Sequence, residues 1–178
     1  MKKSTLLILV FFLCATSTFA GGGQLKKYLK SVSFERGMVY FIKPFDYSSS
    51  NKDITVAPDF TYALYKDSVN PYVTMNFSVY QKTGIRVFEK VEIADVTSVK
   101  YTSDTLERFY SEPVDKVWEN RFSTPLKLSD FISFLRSNNQ FINLYYDGTV
   151  VTIKVPKKIK KGMLLSAATL EVSATGKY

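Results

Sequence analysis

Two residues constrain this chain more than any others. They are Asp147-Gly148, set between apolar runs in FINLYYDGTVVTIKV. This dipeptide predicts a two-residue hairpin turn with both central residues at positive φ. Such a turn fixes the register, so Tyr146 faces Thr149, Leu144 faces Val151 and Ile142 faces Ile153. Strand side chains alternate between faces. Ile142, Leu144, Val151 and Ile153 therefore share a buried face, and Phe141, Asn143, Thr152 and Lys154 share the wet one.

The same period of two recurs upstream. In VTMNFSV, Val73, Met75, Phe77 and Val79 alternate with Thr74, Asn76 and Ser78, the pattern of a strand with one wet face. Segments 38–43, 59–66, 86–93, 96–102 and 115–122 are further strand candidates, rich in Val, Ile, Tyr, Phe and Thr. Turn residues separate them in 46–53, 66–72 and 81–84. In PLKLSDFISFLRSNN the spacing predicts one short helix near 129–138. Ser129 is its expected cap, Leu128, Phe131, Ile132 and Leu135 its apolar face, and Asn138 or Asn139 its left-handed stop. About eight short strands and one late helix predict a mainly β fold. An antiparallel β-sandwich is the expected form and a small β-barrel the rival.

The N-terminus reads differently. MKKSTLLILVFFLCATSTFA has a charged start, ten consecutive apolar residues from Leu6 to Ala15, and Thr18 and Ala20 at a cleavage site. Residues 1–20 are thus expected to be a signal peptide, too short in its apolar run to span a bilayer as a helix. Cys14 follows bulky residues rather than small ones and reads as part of the apolar run. Residues 21–36 are expected to be a flexible or amphipathic leader. Leu25, Tyr28, Leu29 and Val32 there have helical spacing, as a docked helix or as the lead-in to a strand. Residues 37–178 are expected to form a single β-rich domain, long enough to bury one core without disulfides. The expected localisation is exported: periplasmic, cell-surface or extracellular.

Composition narrows the chemistry. The chain has no histidine, and its one cysteine is Cys14. Ser-His-Asp and Cys-His catalysis and thiolate zinc sites are therefore not expected. There is no GxxxxGK[ST] or GxGxxG phosphate loop. No catalytic residue, cofactor or metal is assigned. DYSSSNKD offers Asp46, Ser48, Asn51 and Asp53 as oxygen donors but lacks the spacing of a calcium loop. Asn76-Phe77-Ser78 matches a glycosylation sequon on a wet strand face.

Two binding readings remain. The formal net charge is +8, and KVPKKIKKG gathers Lys154, Lys157, Lys158, Lys160 and Lys161. Pro156 is expected to end the second hairpin strand, leaving KKIKKG as a loop before a last apolar segment, 163–172. Such a loop is either a solvated turn that protects a sheet end or a contact for anionic surfaces, where each Lys contributes about 1 kcal/mol. Outside the cell the candidates are anionic lipid, lipopolysaccharide, acidic polysaccharide or an envelope protein, and nucleic acid is not expected. The second reading is a carbohydrate-binding or carboxylate-based carbohydrate-active protein using Trp118 and Glu119. A third is a subunit of a surface assembly joined through a sheet edge. The leading expectation is a non-enzymatic binding or accessory module.

Overall fold

The Asp147-Gly148 turn forms with the register that its type dictates. Asp147 and Gly148 have φ of 46° and 67°, and the pairing runs from Phe141–Lys154 to Tyr146–Thr149. The computed structural model describes residues 22–43, 48–49, 52–68, 70–82 and 87–175. The expected signal peptide with Cys14 lies outside the described residues, as do Asp46 and Asn51.

Among the described residues the hairpin belongs to the smaller of two antiparallel sheets. Its strands are β3 (Ser48–Ser49), β6 (Lys90–Ala94), β7 (Val99–Ser103), β10 (Phe141–Tyr146) and β11 (Thr149–Lys154), in the order β3-β11-β10-β6-β7. The larger sheet holds β1 (Leu29–Phe34), β2 (Gly37–Ile42), β4 (Ile54–Tyr65), β5 (Tyr72–Gln81), β8 (Glu107–Val114) and β9 (Val117–Lys127), in the order β1-β2-β4-β5-β9-β8. The fold is mainly β, and among the described residues no closed barrel forms.

One apolar core lies between the sheets. Phe60, Met75 and Phe77 of the larger sheet and Ile93, Ile142, Leu144 and Ile153 of the smaller are almost wholly buried in it. Phe88, just before β6, stands edge-on to Phe77, Phe122 and Tyr146, which joins the sheets through rings. The Thr124 hydroxyl donates to Ser103 Oγ at 2.7 Å from one sheet to the other.

Three helices complete the described structure: α1 (Gly22–Tyr28), α2 (Leu128–Arg136) and α3 (Lys160–Thr175). Helix α2 is the one expected near 129–138, but it starts earlier, and Ser129 does not cap it. Ser129 lies in the first turn and donates to Asp130. Asn139 has φ of 52°, but it is not the helix stop, because the helix has already ended at Arg136 with Ser137 extended. Phe134 joins Leu128, Phe131 and Leu135 among the buried residues.

Three stretches depart from expectation. The supposed leader contains α1 and then β1, which pairs with β2 along its length. Residues 107–114 are an edge strand, and Asp115-Lys116 make the turn after it, so the strand expected at 115–122 begins at Val117. KKIKKG is not a loop. Lys157–Ile159 form a 3₁₀ turn and Lys160 opens α3, because Ile159, Met163, Ala167 and Leu170 all bury into the core.

Candidate functional site

The turn between β11 and α3 scatters the five lysines. Lys154 and Lys157 line a cleft of about 1130 Å³ together with Lys160. Lys158 and Lys161 are exposed and are not among its lining residues.

Four segments make the walls. The outer face of the hairpin supplies Phe141, Asn143, Thr152 and Lys154, and the α2–β10 connection supplies Asn138, Asn139 and Gln140. Val155, Pro156 and Lys157 come from the start of the β11–α3 connection, and Val96 from the turn between β6 and β7. Alternation places Phe141, Asn143 and Lys154 here, since Ile142 and Ile153 occupy the core. Pro156 adds a fixed φ that turns the chain out of β11.

Several polar groups of the cleft already have partners. Gln140 Nε2 donates to the carbonyls of Phe134 at 2.6 Å and Leu135 at 3.0 Å, which caps α2. Lys160 Nζ donates to the carbonyls of Arg136, at 3.0 Å, and of Ser137. A cation at a helix C-terminus also meets the negative end of the helix dipole. Burial pulls the Lys160 ammonium below the usual lysine pKa. Lys160 is thus a fastening between α3 and α2.

Lys154 and Lys157 differ. Neither takes part in a salt bridge among the described residues. The nearby carboxylates have cations of their own. Glu92, beside Asn143 across the strand pair, accepts from Lys90 Nζ at 2.9 Å and from the Tyr145 hydroxyl at 2.5 Å. Burial opposes its charge, but the hydrogen bonds from Tyr145, Lys90 and Asn143 outweigh it and hold its pKa below the ordinary glutamate value. Lys90 also sits 3.9 Å from the centre of the Tyr145 ring. Asp95, next to Val96, pairs with Lys100 at 3.1 Å and accepts from Thr97 and Ser98 backbone amides and the Thr97 hydroxyl. Those Thr97 bonds hold its carboxyl well below the usual range despite burial. The charge left uncompensated at the cleft is therefore positive.

The residues of the second reading separate. Trp118 lies opposite Gln81, on the core face of β9, and is half-buried. Glu119 lies on the outer face and accepts from the hydroxyls of Tyr80 at 3.1 Å and Tyr110 at 2.9 Å. Consecutive residues of a strand point to opposite faces, so these two do not share a platform. Burial works against the Glu119 charge, and hydrogen bonds from Ser78, Tyr110 and Tyr80 overcome it, so its pKa is lowered. It stays ionised, unlike a general acid. Arg121 fills the same face, pairing with Asp59 at 2.7 Å and donating to Ser78. Asn76 of the sequon is half-buried there and donates to Asp59 Oδ1 at 3.0 Å.

One apolar surface feature was missed from sequence. Val32, Phe34, Val39, Phe41, Ala63 and Tyr65 line a depression of about 340 Å³ on the outer face beside the β1 edge. Phe34 and Tyr65 pack edge to face at 5.9 Å. Its only sequence signal was Val32 and Phe34 two apart, in a segment whose helical spacing was more conspicuous.

Among the described residues no helix is long and apolar enough to cross a membrane, and no group of three or more Cys, Asp or Glu side chains is placed to hold a metal. Compared with protein-family models, curated proteins and solved structures, the chain gives no match.

Proposed function

We propose that this protein is an exported, non-enzymatic binding module that seats an anionic envelope or surface ligand in the cleft of Lys154 and Lys157. One observation carries the reading: two lysines without carboxylate partners line a single cleft, while Glu92 and Asp95 beside it are neutralised by Lys90 and Lys100. Preformed clefts with a few placed polar groups are the usual form of ligand sites.

The test is retention on the protein's own envelope fraction at about 50 and about 300 mM salt, where screening differs strongly. Retention is expected at low salt and loss at high salt. Lys154→Gln/Lys157→Gln is expected to abolish low-salt retention, and Lys158→Gln/Lys161→Gln to keep it. Equal behaviour of both double variants would overturn the reading.

A second reading, a subunit joined through a sheet edge, is favoured by β1. The other edges are guarded: β8 has a register shift near Phe109 and contains Pro113, β7 has an irregular pairing, and β3 is two residues long. Strand β1 has six residues, regular pairing and the apolar depression beside it. Unguarded edges pair with other strands. A self-associating protein that Val32→Lys or Ser31→Pro renders monomeric would support this, as read by sedimentation. A wild type monomeric at all concentrations would remove self-association.

A further inference from the structure

We propose that the ligand of the cleft is an acidic saccharide chain, with a sugar ring seated on Phe141 and its carboxylate between Lys154 and Lys157. The proposal rests on the anion-binding reading above and adds the ligand's class. Three observations carry it.

The first is the ring on the cleft floor. Phe141 is half-buried on the outer face of β10, directly opposite Lys154 of β11 and Ala94 of β6. Ala94 is itself almost wholly buried, and it is the partly exposed Phe141 that lines the cleft. An aromatic face beside a cation suits a ligand that is apolar on one side and charged at its rim, as a uronate ring is.

The second is the set of hydrogen-bonding groups. Asn138 and Asn139, on the opposite wall, are exposed, and their side chains make no hydrogen bond among the described residues. A primary amide both donates and accepts, which matches hydroxyl groups. A phosphate or carboxylate alone needs only donors. Asn143 is already oriented, since its Oδ1 accepts from the Thr152 hydroxyl at 2.8 Å.

The third is shape. Lys154 and Lys157 are exposed and line a cleft that Val96 and the 138–140 segment also line. A flat bilayer cannot enter a cleft, and a single chain can. At about 1130 Å³ the cleft has room for more than one sugar ring.

The experiment is equilibrium titration of the protein with three probes: a short oligogalacturonate, a neutral oligosaccharide of equal length, and vesicles of phosphatidylglycerol with phosphatidylcholine. The oligogalacturonate is expected to bind, and the neutral sugar at least about tenfold more weakly. Lys154→Gln/Lys157→Gln and Phe141→Ala are each expected to reduce oligogalacturonate affinity about tenfold. Phe141→Leu keeps an apolar side chain at the site and so separates loss of the ring from loss of folding. It is expected to lose several-fold in affinity with an unchanged melting temperature. Vesicles bound in a Lys154- and Lys157-dependent way, with oligogalacturonate ignored, would overturn the saccharide class and leave the anion reading standing. Oligogalacturonate binding untouched by Phe141→Leu would also overturn it. No lysine-dependent binding to any probe would remove both.

Discussion

At Lys160 the positive charge is held by the protein itself, because the ammonium donates to the last carbonyls of α2. Hydrogen bonds to charged groups contribute more than neutral ones. Lys160→Gln is therefore expected to cost about 1–2 kcal/mol in a urea titration. Lys154→Gln and Lys157→Gln, at exposed positions without partners, should each stay within about 0.5 kcal/mol of wild type. Equal costs at all three positions would refute this division of roles. Acid provides a second residue-scale prediction. Glu92, Asp95 and Glu119 all have pKa values lowered in the folded protein. Their stabilisation is complete above the unfolded carboxylate range and is lost as pH falls through the lower folded values. The urea midpoint should be flat from about pH 7 to 5 and should fall below about pH 4. Glu92→Gln should shrink that fall, and a midpoint unchanged down to about pH 3 would contradict the assignment.

Among the elements, α3 depends on small residues. Gly162, Ser166, Ala167 and Ser173 are buried on it alongside Met163 and Leu170, and Ser173 meets the Tyr40 hydroxyl at 2.8 Å. A Cβ on Gly162 would lie 2.3 Å from the Tyr28 ring, so this glycine lets α1 pack on α3. Gly162→Ala gains about 1 kcal/mol of helix propensity but overpacks by about 1–3 kcal/mol. The expected net result is a lower melting temperature with faster amide exchange in 22–28. Adding Tyr28→Ala should recover part of the loss, and additive effects in that double-mutant cycle would show that the two residues are not coupled. The same small residues explain why α3 was not legible. Apolar periodicity gives little weight to Gly, Ser and Ala, while the exposed Leu164 and Val172 blur the pattern. Strand β8 was missed for another reason. As a mostly exposed edge it has no apolar alternation to read. Strand β5 and the hairpin were legible because their apolar residues alternate and fill one buried face, although Ser78, expected on the wet face of β5, is buried as well and accepts from Arg121.

For the whole molecule, the hairpin register alone placed Lys154 on the wet face beside Phe141. It did not place the opposite wall. Asn138, Asn139 and Val96 reach the cleft through tertiary packing of α2 and the β6–β7 turn, which no local pattern encodes. Nor did it divide the lysines, since the partners of Lys160 lie at the end of α2, distant in sequence. Trp118 and Glu119 do not share a face, since neighbours in a strand face apart. On the proposed reading, the fold turns a run of five lysines into two that recognise a ligand, one that fastens helices and two that stay in solvent. Lysine acetylation footprinting of the full chain, read by mass spectrometry with and without oligogalacturonate as the polyanion, tests this most directly. Lys154 and Lys157 should be reactive alone and protected by the polyanion, Lys160 slow in both states, and Lys158 and Lys161 reactive in both. Uniform protection of Lys154, Lys157, Lys158 and Lys161, or protection of none, would contradict it.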